Sequence, residues 1–347
     1  MIKEKNSSAG NKNSIFHWHY AWAIVAIIAG MQIVGTSIRM AFGVFIDPLE
    51  QQFQWSQGGI GFTYALCSIV SALVSPWAGN IGDRFGAKRA MILGTSLFLV
   101  GMILTAYITE LWHFWITYGL VLGVAQAIFL VPLIPAAMIW FRRHLGLAMG
   151  LVMASWGLGP ALATPLIAYM LDVLGWKSSF LVLGIASFAL MLVLIAMFRN
   201  RPGDISVLAY GTEPDDPPLS DRLPPLELLE EFKGHMRRTG AYWNMSSIHF
   251  LGCVGHAVIL IWIIPMATQG GLTLVGASLI ITVMSVVSIV TRLTTPLLCE
   301  RFGVRRIMTG FYVLQGTPVL LLFAPEIPGV FYIFAVAFGV GYGGETG

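Results

Sequence analysis

Two arginines sit where an ionised side chain is expensive. Arg39 lies late in the first long apolar run, and Arg292 lies inside another, within Ser288-Ile-Val-Thr-Arg292. At membrane depth such a charge faces a partner or a pathway. A guanidinium presents a planar fork of donors that fits a carboxylate with two parallel hydrogen bonds, so the chemistry these residues offer is capture of an organic anion. The alternative for each is that its long stem carries the charge to the headgroups from two or three turns inside the helix. No acid answers them at depth: Asp47, Glu50, Glu110, Asp172, Glu300 and Glu326 all fall at run ends or in loops, so a carboxylate proton relay is not expected. His249 and His256, seven residues apart and near one helix face, are the remaining groups that titrate near neutral pH, although a buried hydrogen-bonded histidine is the plainer reading. Tyr64, Gln126 and Trp156 add polar or aromatic surface within other runs. With Arg292, Arg39 and His256 they form the candidate substrate-binding set. Paired acids, a Ser/His/Asp set and clustered metal ligands are all missing at depth, so a membrane enzyme is disfavoured and no cofactor is called for. Cys67, Cys253 and Cys299 are too far apart for a disulfide framework or a metal-ligand spacing.

The elements that must position these residues are membrane helices. The chain is 56% hydrophobic and 11% charged, with mean hydropathy +0.77, which fits a bilayer solvent. A net charge of +3 carries no nucleic-acid reading. With about 20 apolar residues needed per crossing, ten spans are expected: 22–40, 60–79, 91–108, 112–139, 147–171, 179–198, 243–266, 273–298, 307–323 and 330–342. The polar stretch before the first span, with Lys3, Lys5 and Lys12, lacks a cleavage signal after it, so the first span is expected to be retained.

If the spans alternate, those lysines fall on one side with Arg84, Lys88, Arg89, Arg142, Arg143, Arg199, Arg201, Arg222, Lys233, Arg237, Arg238, Arg301, Arg305 and Arg306. The other side keeps Lys177 alone. This asymmetry places the amino terminus in the cytoplasm. The expected plan is a cytoplasmic tail (1–20), a six-helix bundle (21–199), a cytoplasmic linker (200–242) and a four-helix second bundle (243–347). In the linker, Leu226, Leu229, Phe232 and Met236 recur at helical spacing opposite Glu227, Glu230, Glu231 and Lys233, which predicts a short amphipathic surface helix.

A charged turn, Gly79-Asn-Ile-Gly-Asp-Arg-Phe-Gly-Ala-Lys-Arg89, separates the second and third spans, and a degenerate copy, Glu300-Arg-Phe-Gly-Val-Arg-Arg306, recurs between the eighth and ninth. The pair resembles the loop signature of the major facilitator superfamily of transporters. A narrower resemblance, to the monocarboxylate porter and oxalate/formate antiporter branch, runs through His19-Tyr-Ala-Trp-Ala-Ile-Val25, Phe42-Gly-Val-Phe-Ile-Asp-Pro-Leu-Glu50, Phe53-Gln-Trp-Ser56, Gly146-Leu-Ala-Met-Gly-Leu151, Gly157-Leu-Gly-Pro160 and Arg201-Pro-Gly-Asp204.

The resemblance implies an all-α polytopic membrane protein, two six-helix bundles around a central cavity. Spans eleven and twelve are then expected to be missing, and the chain to be a fragment. It also implies that Gly79, Asp83, Arg84, Gly86 and Lys88, with Arg301 and Gly303 in the second copy, form a cytoplasmic gating latch whose basic residues pair with acids of the opposite bundle. The monocarboxylate porters carry an arginine in span eight that engages the substrate carboxylate, with an aspartate four residues before it. Arg292 matches the arginine, while Ser288 replaces the aspartate. The function implied is secondary transport of a small organic anion by alternating access, coupled to H+ or to a counter-anion, in the inner (plasma) membrane of a bacterium. The rival is a non-transporting sensor or assembly protein of the same fold.

Overall fold

In a bilayer no water satisfies exposed backbone groups, so an apolar chain of this kind must form helices whose hydrogen bonds close within each segment. The computed structural model describes residues 19–213, 215–216, 226–323 and 327–345. The tail lysines, Arg222, Glu326 and the end of the chain lie outside the described residues. Among the described residues eight helices are long and apolar enough to cross a membrane. They are Tyr20–Met40, Gln57–Phe85, Ala87–Thr105, Leu111–Met138, Leu145–Met197, Gly240–Gln269, Leu274–Phe302 and Val304–Phe323. Leu145–Met197 holds 53 residues, far more than one crossing needs, and is broken at Gly175 (φ 72°, ψ 168°), so it supplies spans five and six. The 18-residue apolar helix Pro328–Glu345 is the tenth. The break was expected between 171 and 179; through Gly157, Gly159 and Pro160 the dihedrals stay helical, and those glycines instead let neighbouring helices approach closely.

The charged turn is shorter than its sequence suggests. Helix continues to Phe85, and the chain turns at Gly86 alone (φ 86°, ψ 146°) before span three starts at Ala87. Gly303 (φ 86°, ψ 136°) does the same after Phe302. Side chains other than glycine's are strained in that region. The equivalence extends backward without a gap. Span two, Gln57–Phe85, and span eight, Leu274–Phe302, both have 29 residues, and their starts differ by 217 (274 minus 57). Ser56 and Thr273, at the same offset, cap them by accepting from Gly59 N (3.2 Å) and Gly276 N (3.1 Å). Gln54 and Gly271, again equivalent, both take positive φ where the preceding helix ends. From 54 to 86 and from 271 to 303 the two halves share one backbone plan.

Hydrophobic side chains form two main clusters. One joins the halves: Phe42, Phe45, Ile46 and Leu49 after span one pack with Leu260, Ile263, Ile264 and Ala267 of span seven and with Ile280 and Met284 of span eight. The other lies within the first half, near the basic loops, around Ile24, Ile28, Trp140, Phe141 and Phe198. Lipid tails are as apolar as these residues, so close packing and interhelical hydrogen bonds, such as Ser155 Oγ to Gln32 Oε1 at 2.9 Å, hold the helices together. At the end away from the basic loops, the Thr268 hydroxyl of span seven donates to Asp47 of the short helix after span one (2.5 Å), which bridges the halves. Burial lifts the Asp47 carboxyl above the usual carboxylate range, and the bond from Thr268 partly opposes this.

The linker divides into two parts. Residues 207–212 lie against the first half, where Tyr210 N donates to Trp140 O (2.8 Å) and Arg142 N to Tyr210 O (2.9 Å), and Arg143 pairs with Glu213. The helix Leu226–Arg238 follows, with Leu228 and Phe232 exposed.

Candidate central binding site

Arg39 projects from the last turn of span one toward span two. It donates to Ser68 Oγ (3.2 Å), and its guanidinium carbon lies 5.7 Å from the centre of the Tyr64 ring. Its Nε is buried without a hydrogen-bond partner. Span four closes the other side: a stretch of π-helix, Trp115–Leu122, carries the fully buried Tyr118, whose hydroxyl reaches Ile38 O at 3.4 Å. Arg39 is therefore held inside the bundle and does not extend to a headgroup.

Arg292 is 4% exposed, which excludes snorkelling for it as well. It donates through one terminal nitrogen to Met153 O of span five (3.1 Å), so it reaches from the second half into the first. Its guanidinium carbon lies 5.2 Å from the Tyr342 ring centre. Its Nε and other terminal nitrogen are buried with no hydrogen-bond partner among the described residues. Ser288, one turn earlier, donates to Ser285 O in its own helix (2.8 Å) and leaves no acid on span eight beside Arg292.

Most buried polar atoms in proteins find partners. Gln126 has both amide atoms buried and unpartnered, as are Trp156 Nε1 and His256 Nδ1. Five of the six substrate-binding candidates, Tyr64 excepted, thus present at least one such atom. Arg39 lies within electrostatic range of Cys253 in span seven, and Tyr64 within range of Tyr342 in span ten.

One expectation is overturned. A carboxylate does lie at depth: Glu345, in the last turn of span ten, has a fully buried side chain. Its Oε2 accepts from Gln315 Nε2 of span nine (2.8 Å) and lies 3.7 Å from His256 Nδ1, while Oε1 has no partner. His256 also meets the Tyr342 ring edge-on at 5.1 Å. Hydropathy puts the end of the run at Tyr342, and helix periodicity then brings Glu345, one turn on, to the same face. That spacing was the available signal. Gln315, a polar residue within an apolar run like Gln126, carried the same signal, whereas Ser68, small and common in membrane helices, carried little.

The gating residues follow a different pattern from the one implied. Lys88 does not reach an acid of the opposite bundle: its Nζ donates to Phe198 O (3.1 Å) and Ala196 O (3.3 Å) at the end of span six, in its own half. Its backbone N–H donates to Asn200 Oδ1 (2.9 Å). A cation at a helix carboxyl end satisfies terminal carbonyls and the helix dipole, which is sufficient reason for the contact. Asp83, Arg84 and Arg301 are exposed, and Gly79 lies partly buried on span two. Arg301 stacks on Phe302 at 5.3 Å.

Ten apolar spans among the described residues, with a helix and a glycine turn of span two repeated in span eight, define a polytopic integral membrane protein. A sequence profile described as Major Facilitator Superfamily matches residues 23–346, and the chain belongs to that family. Among curated relatives it is 26% identical over 306 residues to monocarboxylate transporter 11 of Mus musculus, covering 87% of this chain and 65% of that one. It is 23% identical over 322 residues to the uncharacterized MFS-type transporter YhjX of Escherichia coli K12, covering 90% and 77%. The chain spans less than two thirds of the monocarboxylate transporters it matches, 60% in the case of human transporter 11. In fold it is similar to the crystal structure of a D-xylose-proton symporter (TM-score 0.69, 15% identity, 94% of this chain and 80% of that one). It is also similar to a bacterial homologue of the human lysosomal transporter Spinster (TM-score 0.69, 13% identity, 95% and 75%).

Proposed function

We propose that this protein is a secondary transporter of a small organic anion, of the monocarboxylate class, working by alternating access between its two halves. The observation that carries the reading is Arg292, a buried cation with two unpartnered nitrogens that already bridges to span five. A fork of free donors in a low-dielectric interior favours a planar anion. Arg39, with Tyr64 beside it, is the second contact from the first half. Gln126, Trp156 and His256 provide further polar contacts. The names of the matched relatives support the substrate class. The apolar cluster that joins the halves at the end bearing Asp47 and Thr268 supports a state closed at that end. The basic loops support a cytoplasmic side for the other end and the amino terminus, and the proposed location is the inner membrane of a bacterium.

The test is uptake of labelled lactate, pyruvate, formate and oxalate into proteoliposomes by the full chain and by Arg292→Ala. Saturable uptake that the substitution lowers by about 10- to 100-fold is expected, the equivalent of one lost charge-assisted contact. Folded protein that moves none of these anions would sink the reading and favour a non-transporting sensor of the same fold.

A further inference from the structure

The helix Leu226–Arg238 takes no part in anion capture. It stops at Thr239, whose extended backbone (φ −85°, ψ 132°) breaks the helical path before span seven begins at Gly240, so the two helices do not share one axis. A hydrogen bond fixes the level at which it stops: Trp243 Nε1, in the first turn of span seven, donates to Arg237 O at 2.9 Å. Trp243 is 59% exposed, and Tyr242 meets its ring edge-on at 5.3 Å. Indole and phenol rings at the end of a membrane helix sit among the headgroups. The last turn of the linker helix is held at that level.

Leu228, Phe232 and Met236 recur every four residues and form one stripe along the helix. Leu228 is 57% and Phe232 65% exposed, so the stripe does not cover the inner ends of the spans. At 100° per residue Lys233 and His235 flank it on opposite sides, while Glu230, Arg237 and Arg238 lie on the other face. Charge is also divided along the axis. The acids Glu227, Glu230 and Glu231 come first, and Lys233, Arg237 and Arg238 follow, so the end held at headgroup level is the positive one.

We propose that this helix is a membrane-surface anchor. It lies in the plane of the leaflet on the side of the basic loops, with Leu228 and Phe232 at the acyl boundary and Lys233, Arg237 and Arg238 set against anionic phospholipid headgroups. Taking the exposed apolar stripe out of water supplies the binding. Attraction of cations to an anionic surface extends over about 8–10 Å, comparable with the diameter of a helix, so the arginines on the far face contribute as well as Lys233. The acids oppose this, but they stand nearer the free end. Anchored in this way, the helix sets the depth of the inner end of span seven, whichever anion is carried.

The test is photo-cross-linking of the full chain in vesicles of mixed phosphatidylcholine and phosphatidylglycerol. A photoreactive phenylalanine analogue takes the place of Phe232 or, on the other face, of Glu230, and the adducts are identified by mass spectrometry. Lipid adducts at 232 are expected to exceed those at 230 by about fivefold or more. Phosphatidylglycerol is expected among them at about threefold or more its share of the vesicle, falling close to that share in the combined variant Lys233→Gln, Arg237→Gln, Arg238→Gln and, for the unsubstituted cations, at about 1 M salt. Cross-links from 232 to other residues of this chain or to a second copy, in place of lipid, overturn the proposal. So do equal lipid adducts at 232 and 230, a lack of phosphatidylglycerol enrichment, or enrichment that survives high salt. If the combined variant fails to insert, the salt series decides.

Discussion

Arg39 and His256 stand at the same 217-residue offset in sequence as the capped helices that follow them. Their surroundings differ. Arg39 is permanently charged and meets a hydroxyl and two phenols, Ser68, Tyr64 and Tyr118. His256 meets an acid, Glu345, at 3.7 Å. The first half thus sets an arginine beside phenols, and the second sets a histidine beside a carboxylate. Duplication permits this difference because each copy can diverge without disturbing the other's packing.

The largest effect that would sharpen this comparison concerns the arginines. Arg292→Lys should keep the charge but lose the fork, raising the apparent KM for a carboxylate by about tenfold, whereas Arg39→Lys should change it by about threefold or less, because its Ser68 contact needs a single donor. Equal losses at both would erase the distinction between the halves. Next come the two turns. Gly86→Ala and Gly303→Ala each place a side chain at positive φ with extended ψ, at a cost of about 1–3 kcal/mol, but only Gly86 has a neighbour, Asn200, within 3.3 Å of the added carbon. Thermal unfolding in detergent should therefore show the greater loss for Gly86→Ala. A smaller effect is expected at the loop cations: Lys88→Met removes contacts to two helix-end carbonyls and should cost about 1 kcal/mol in the same assay, while Arg301→Met, exposed and stacked on Phe302, should be close to neutral.

The smallest concerns Asp47. Burial raises its carboxyl in the folded protein, so the folded state binds this proton more tightly than the unfolded chain does. Its contribution to stability is then greatest below the ordinary carboxylate pKa and declines as pH rises from there through the raised value. Asp47→Asn should flatten that part of the Tm-against-pH curve in the mildly acidic range. A variant curve that parallels wild type would show that the Thr268 contact cancels the effect of burial.

Much of this was legible in the sequence because bilayer and repeat physics leave strong marks. Ten apolar runs became ten spans, and the recurrence of Arg-Phe-Gly at 84–86 and 301–303 became two identical turns. Arg292 could be singled out because an arginine in an apolar run has few explanations. Glu345 was missed for a related reason: hydropathy ends a span at the last apolar residue, whereas the helix, and with it burial, ran one turn further. Lys88 could be recognised as important, but its partners on span six lie 108 and 110 residues away in sequence, and no local pattern announces a carbonyl as the partner. The π-helical segment that positions Tyr118 was equally hidden, since it leaves composition unchanged.

The matched 29-residue helices carry a further mechanical consequence. At about 1.5 Å per residue each is about 43 Å long, whereas the hydrocarbon layer is about 30 Å thick. Both must therefore tilt or project beyond the layer, and the projecting end bears Asp83, Arg84 and Phe85 in one half and Arg301 and Phe302 in the other, all exposed. The exposed phenylalanine at each tip can rest at the lipid boundary while its charged neighbours stay in water. Each helix is then a lever pivoted inside the membrane: a tilt of a few degrees near Arg292 or Tyr64 swings Gly303 or Gly86 sideways by an ångström or more, and the glycine turn hands that displacement to the next span.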